Sequence, residues 1–398
     1  MGEYTETLES IGYDIDLFEN DPEDNVIILT NVASSFRTFD EAITLFIQEH
    51  GYEGNTENEI EKINYLSKKF SDANIPIPRN IKRWFYEKIG IEKYPTGYQF
   101  CFAFGLNISE SNEFFRKICL EKGIDCHVIE EAVFYYCLKN NISYSEAVTI
   151  IEEISKEGTE GIVLDVPYTS AITLDLDRIK DAEELKSYLI KNNEYFAVNK
   201  VTATKHMRRM WEDISSQSGL ANEEKKENFF DGIEDDNIKK KKKEIKARST
   251  WEIYKQILGL DGFKNPEYEK NRSIKSILRS NPMLCQIAEK DFPDRLGIDN
   301  IIAGRVVSAE RMRKDLILLS YYRYWIKLAI ERQCYDAEGG DADRCQAQMN
   351  QILLDSGYQE LYYGNPYDWI FLFSMQTEMP LSTFRDYIAT LGIAIKEE

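Results

Sequence analysis

Apolar residues along this chain recur at three- and four-residue spacing, the period of helices with one buried face. In Thr56–Asp72 the stripe is Ile60, Ile63, Leu66 and Phe70. Upstream, Thr38-x-x-Glu41 is a capping box, which predicts a helix from near Phe39 to about His50, broken by Gly51 and Gly54. The run Asn74-Ile75-Pro76-Ile77-Pro78 reads as an extended turn, with Pro78 suited to open a helix. A helix over Arg79–Ile89 follows, with Ile81, Trp84, Phe85 and Ile89 as its apolar stripe. Tyr94-Pro95-Thr96-Gly97 punctuates the chain. Helices are then predicted over Tyr98–Leu106, Glu110–Lys122, Val128–Asn140 and Tyr144–Lys156, the last opened by the capping box Ser143-x-x-Glu146.

The pattern changes beyond residue 157. Ile162, Val163, Leu164 and Val166, then Ile172, Leu174 and Leu176, flank Pro167 and suggest either a small β-hairpin near 162–176 or an extended crossover. Asp181–Leu189 and Asn193–Ile214 return to helix. Ser308–Gln333 is the longest predicted element, with Leu316, Leu319, Tyr322, Trp325, Ile326 and Ile330 near one stripe. Gly364-Asn365-Pro366 makes a sharp turn, and Pro380 starts the last helix. The fold class is all-α, in two helical lobes. The segments are an acidic irregular arm (1–36), a helix-turn-helix-like helical domain (37–157), a crossover with helices (158–214), a charged linker (215–248) and a C-terminal helical domain (249–398).

Charge sharpens this picture. The 398 residues carry a net charge of −20, unevenly placed. Residues 1–66 hold sixteen Asp/Glu against Arg37 and Lys62 alone. From Ser67 to Gly97 the balance reverses, with seven Lys/Arg against three acids. A local basic island can steer an anionic partner whatever the average charge. No apolar run reaches ~18 residues, so no transmembrane helix is expected. The acidic start MGEYTETLES lacks the basic and apolar regions of a secretory signal. Seven Cys without a C-x-x-C pair fit reduced thiols in a cytoplasmic protein.

Catalytic signatures are few. Neither a P-loop nor a strand-anchored G-x-G-x-x-G nor H-E-x-x-H is present. Cys126-His127 adjoin, but adjacent side chains usually point apart. Asp336, Glu338, Asp341 and Asp343 lack the terminal Glu of a calcium loop. Glu244-Ile245-Lys246 lies in a lysine run with no strand to hold it. Tyr321, Tyr322, Tyr324, Trp325, Tyr362, Tyr363, Tyr367 and Trp369 read as helix packing, with a ligand groove or a protein-binding surface as the alternative. No catalytic residue, metal ligand or cofactor is assigned. Residues Arg79, Asn80, Lys82, Arg83 and Tyr86 do form a candidate nucleic-acid-binding set. Arg reads guanine, Asn reads adenine, and Lys anchors phosphate, while Trp84, Phe102 and Phe104 supply packed support.

The run Arg79, Ile81 and Trp84, then Tyr98-x-x-Cys-Phe-Ala-Phe-Gly-Leu106, then Glu113-Phe-Phe-x-Lys117, resembles uncharacterised bacterial proteins with an N-terminal helix-turn-helix-like (Xre-like) domain. Gly357–Trp369 and Pro380–Ile388 resemble the C-terminal ends of the same proteins. Such domains usually open the recognition helix with Gln or Ser, where this chain has Pro78-Arg79. The resembled proteins offer no settled activity; the leading expectation from the residues is a non-enzymatic regulator or adaptor whose N-terminal lobe contacts double-stranded DNA. A protein-binding component of a bacterial antiviral-defence or mobile-element system is the alternative. A helical effector enzyme without a recognisable motif is the third reading. A protein partner is expected, and no membrane.

Overall fold

Thr38 caps the start of a helix at Phe39, as its spacing predicts. Its backbone N–H donates to Glu41 Oε2 at 2.8 Å, which satisfies an amide the helix leaves unpaired. The computed structural model describes residues 4–8, 32, 34–91, 94–126, 128–155, 169–192, 196, 201–226, 248–260, 293–305 and 307–390. Among these the elements are helices and no strand occurs, so the chain is all-α.

The chain divides into two compact units. The first comprises Arg37–Thr202 with Asp355–Gln359. It contains α1 (Phe39–Glu49), α2 (Glu59–Asp72), α3 (Ile81–Tyr86), α4 (Tyr94–Phe104), α5 (Ile108–Lys117), α6 (Ile129–Lys139), α7 (Tyr144–Ser155), α8 (Thr169–Leu176) and α9 (Ala182–Lys191). Its core is built around Phe100 of α4. That ring stacks on Phe104 and Phe114 at centroid distances of 4.5 and 4.6 Å. It also meets Phe46, Phe70 and Trp84 at 5.3, 5.9 and 6.3 Å. One side chain thereby ties α1, α2, α3 and α5 to α4 through offset and edge-on aromatic contacts.

Several expectations are corrected here. This unit runs past the boundary expected at 157, because Ile172, Leu176, Leu185 and Leu189 are buried in its core. The hairpin expected over 162–176 is not found in its described part: Thr169–Leu176 is helical. Residues 162–168 lie outside the described residues. Tyr94–Gly97 does not interrupt the chain but forms the first turn of α4, where a proline costs no hydrogen bond. Gly97 is needed there because Phe115 presses on it; a Cβ would collide with that ring. Ile60 leaves the predicted stripe of α2 and is 62% exposed, while Ile63, Leu66 and Phe70 are buried. Position 62 is buried instead, with the Lys62 ammonium 5.0 Å from the Phe85 ring centroid and bonded to Thr44 Oγ1 at 3.3 Å.

The second unit comprises Met1–Phe36, Ala203–Leu354 and Glu360–Glu398. Its helices are α10 (Val201–Ser215), α11 (Leu220–Lys226), α12 (Thr250–Ile257), α13 (Arg295–Ile302), α14 (Ala309–Arg332), α15 (Asp341–Asp355), α16 (Pro366–Ser374) and α17 (Pro380–Thr390). Helix α14 is central and packs against α11, α13, α16 and α17. Every residue from Met312 to Tyr322 is buried, so this helix is enclosed all round rather than along one stripe.

The acidic arm is not irregular throughout. Residues 4–8 are helical, and Leu8, Val32 and Phe36 are buried. The Trp369 indole N–H donates to the Leu8 carbonyl at 3.0 Å, and Phe36 meets Trp369 edge-on. The latch Val26–Leu29 lies outside the described residues. The charged linker is likewise helical at 220–226 and joins the unit's core through Glu224. Its runs Asp231–Asp236 and Lys239–Lys243 lie outside the described residues.

Phe100→Ala is expected to cost about 3–5 kcal/mol, because five aromatic neighbours, four on other helices and Phe104 on α4 itself, lose their common partner. Gly97→Ala is expected to cost about 1–3 kcal/mol through overpacking against Phe115. Urea unfolding of the full chain measures both, and an unchanged midpoint for Phe100→Ala contradicts the hub.

Candidate functional site

The candidate surface begins where α2 ends. Asn74 adopts φ 56°, and the Ile75 N–H turns back to the Phe70 carbonyl at 2.8 Å, a left-handed cap that redirects the chain. Ile75 and Pro78 are buried and pin the turn, while Ile77 stays 45% exposed. Helix α3 then spans Ile81–Tyr86, not the expected Arg79–Ile89. It stops early because Lys88 takes φ 55° and the N–H groups of Glu87 and Ile89 both return to the Arg83 carbonyl. Six residues make a helix of about 9 Å.

The buried side of α3 is Ile81, Trp84 and Phe85. Trp84 meets Phe39 edge-on at 6.2 Å, and α3 rests on α1 and α2. Phe102 and Phe104 divide the support differently from the expectation. Phe104 stacks on Phe100 behind the helix, whereas Phe102 faces Phe134 and Tyr144 of α6 and α7.

The other side is open. Arg79, Lys82, Arg83 and Tyr86 are exposed, Tyr86 at 57%, and Asn80 is half-buried at the N-cap. Lys82 and Tyr86 are i,i+4 neighbours, and Arg83 and Tyr86 are i,i+3 neighbours, so they share a surface. Arg83 Nε pairs with Glu87 Oε2 at 2.9 Å. Both groups are about half exposed, so the pair is weak and readily exchanged. Lys88 sits 3.6 Å from Asp40. Arg79 and Lys82 have no ion-pair partner among the described residues, and the Asn80 amide makes no capping bond.

The other candidates that fall among the described residues are engaged in packing or ion pairs. Burial pushes the Cys126 thiol well above its ordinary range, which removes the thiolate that nucleophilic attack needs. His127 lies outside the described residues, as does Glu244-Ile245-Lys246. His50 stacks on Phe46 at 4.0 Å, with Nδ1 2.8 Å from the Phe46 carbonyl. In the acidic loop, Asp341 is fully buried and held by Arg332 and Arg344. No group of three or more His, Cys, Asp or Glu among the described residues is placed to hold a metal. The tyrosine and tryptophan group is packing: Tyr321, Tyr322, Trp325, Tyr362, Tyr363, Tyr367 and Trp369 are buried. No helix among the described residues is long and apolar enough to cross a membrane.

Glu224 and Asp368, buried carboxylates of the second unit, were not singled out by the sequence. Glu224 of α11 accepts from Gln256 (2.6 Å), Tyr322 (2.7 Å), Tyr335 (3.1 Å) and Arg385 (2.9 Å). Burial alone would raise its proton affinity. The Arg385 guanidinium and the hydrogen bonds outweigh that and hold the carboxyl below its usual range. Asp368 of α16 takes a bidentate pair from Arg313 at 2.7 Å for each bond, plus the Tyr362 N–H. In sequence Glu224 is one of several charges in a polar stretch, and nothing local marks it as buried.

Glu224→Ala is expected to destabilise the second unit by about 3–5 kcal/mol, since it strands a buried guanidinium. Tyr335→Phe, which removes one of several donors, is expected to cost about 1 kcal/mol. Urea unfolding monitored by tryptophan fluorescence tests the ranking. No known family model matches the chain, and neither a described relative nor a solved structure does.

Proposed function

We propose that the chain is a non-enzymatic regulator or adaptor whose first unit contacts DNA through the exposed side of α3. The observation that carries this reading is the unspent chemistry there. Arg79, Lys82 and Asn80 make no ion pair or capping bond with the rest of the described chain, although the helix beneath them is firmly packed. Rigid support with free cations is what phosphate anchoring requires, and a free amide suits an adenine edge. The position of α3 on α1 and α2 is in keeping with a helix held by two others. At six residues, about 9 Å, the helix presents few side chains to base edges, so phosphate contacts carry most of the affinity.

Contact with a protein partner is the second reading. It is favoured by Ile77 and Tyr86, two large side chains left in solvent beside the cations. Trapping of a partner that is lost on Ile77→Asp, with DNA affinity unchanged, supports it over the first.

Binding of the full chain to genomic DNA fragments is expected to weaken as salt rises. Arg79→Ala with Lys82→Ala is expected to weaken binding across sequences and to reduce the salt slope by about 2. Asn80→Ala is expected to change sequence preference and leave the slope alone. Gel shifts at two salt concentrations measure both. Absence of salt-sensitive binding, or binding indifferent to the double variant, rejects the DNA reading.

A further inference from the structure

Three consecutive charged residues, Arg313-Lys314-Asp315, lie in the enclosed part of α14, and each is treated differently. Arg313 is neutralised by Asp368. Lys314 lies 5.2 Å from the Tyr367 ring centroid and 3.5 Å from Glu310. Asp315 is fully buried, and neither carboxylate oxygen has a hydrogen-bond partner.

A bare carboxylate in that position carries a prohibitive desolvation cost, and a proton removes the charge that makes up most of it. The charged and titratable groups around it do not replace the proton. Arg311, one turn back on α14, is committed to Asp294, the N-cap of α13, at 2.7 Å. Gly297 permits that pairing, since a Cβ there would lie 2.9 Å from Arg311 Cδ. Asp294 itself adds a like charge. Tyr254 of α12 and Tyr367 of α16 are the other titratable neighbours. The Tyr367 hydroxyl donates to the Lys314 carbonyl at 2.9 Å, so its proton is not offered to Asp315. Burial pushes the Asp315 carboxyl well above its usual range; Arg311 opposes this and Asp294 adds to it.

We propose that Asp315 is a proton-binding site inside the second unit, so that the unit takes up one proton as it folds and loosens as pH rises. The sign follows from linkage. In the unfolded chain an aspartate releases its proton near pH ~3.9, whereas in the folded unit it retains it to higher pH. Stability is therefore greatest below that value and falls as pH climbs towards the folded group's own titration. Glu224 and Asp341 act oppositely, because their carboxyls are held below the usual range. Their contribution is complete above about pH 5, so it is level through the neutral window.

The full chain carrying Asp315→Asn, and separately Asp315→Leu, is compared with wild type by urea unfolding from pH 5 to 8. The wild-type unfolding constant is expected to rise relative to either variant by up to about tenfold per pH unit. Infrared spectra at pH 7 are expected to show a protonated-acid carbonyl band that shifts on ¹³C-aspartate labelling and vanishes in Asp315→Asn. Should neither variant fold, the labelled band and a falling wild-type stability between pH 5 and 7 decide the matter. Parallel pH profiles, or an absent acid band, overturn the proposal.

Discussion

The Phe100 ring is the constraint on which the first unit depends. Five aromatic rings from α1, α2, α3, α4 and α5 converge on it. Aromatic contacts of this kind are directional, favouring offset stacking or edge-on approach over a face-to-face sandwich, so they fix orientation as well as burial. The consequence reaches the surface. Helix α3 is only two turns long and would be marginal alone. Trp84, held between Phe39 and Phe100, gives it a fixed bearing and leaves its polar side to solvent.

The second unit solves a different problem, the placement of charge inside a helical core. Arg313 with Asp368, and Arg385 with Glu224, are paired and fully hydrogen-bonded. Such pairs contribute little net stability against apolar replacements but cost heavily when one partner is lost. They therefore act as registers, fixing α14 against α16 and α11 against α17. Asp315 has no such partner, and the proposed proton is the simplest way to neutralise it.

Much of this was legible locally. Capping boxes at Thr38 and Ser143 located helix starts, because their geometry involves only neighbouring residues. The split of α3 into a buried side and a polar side followed from spacing, and Arg79, Lys82, Arg83 and Tyr86 are exposed as that spacing implies. Its length did not follow, since the chain reversal depends on Lys88 entering a left-handed conformation that lysine does not advertise. Asp315 carried a signal that spacing could have found: it stands four residues before Leu319 and seven before Tyr322, on their stripe.

The sequence by itself determined the helical class, the positions of most helices and the sign of the charge around α3, since periodicity, capping and local charge are properties of neighbouring residues. Tertiary structure decided the rest. It drew Leu8, Val32 and Phe36 of the acidic arm and Glu224 of the charged stretch into the second unit. It turned 169–176 from a strand candidate into a helix and carried the first unit past residue 157. The physical reason is that burial is settled by residues far apart in the chain, so a polar side chain can enter a core only where distant partners such as Arg385 and Tyr322 arrive to meet it.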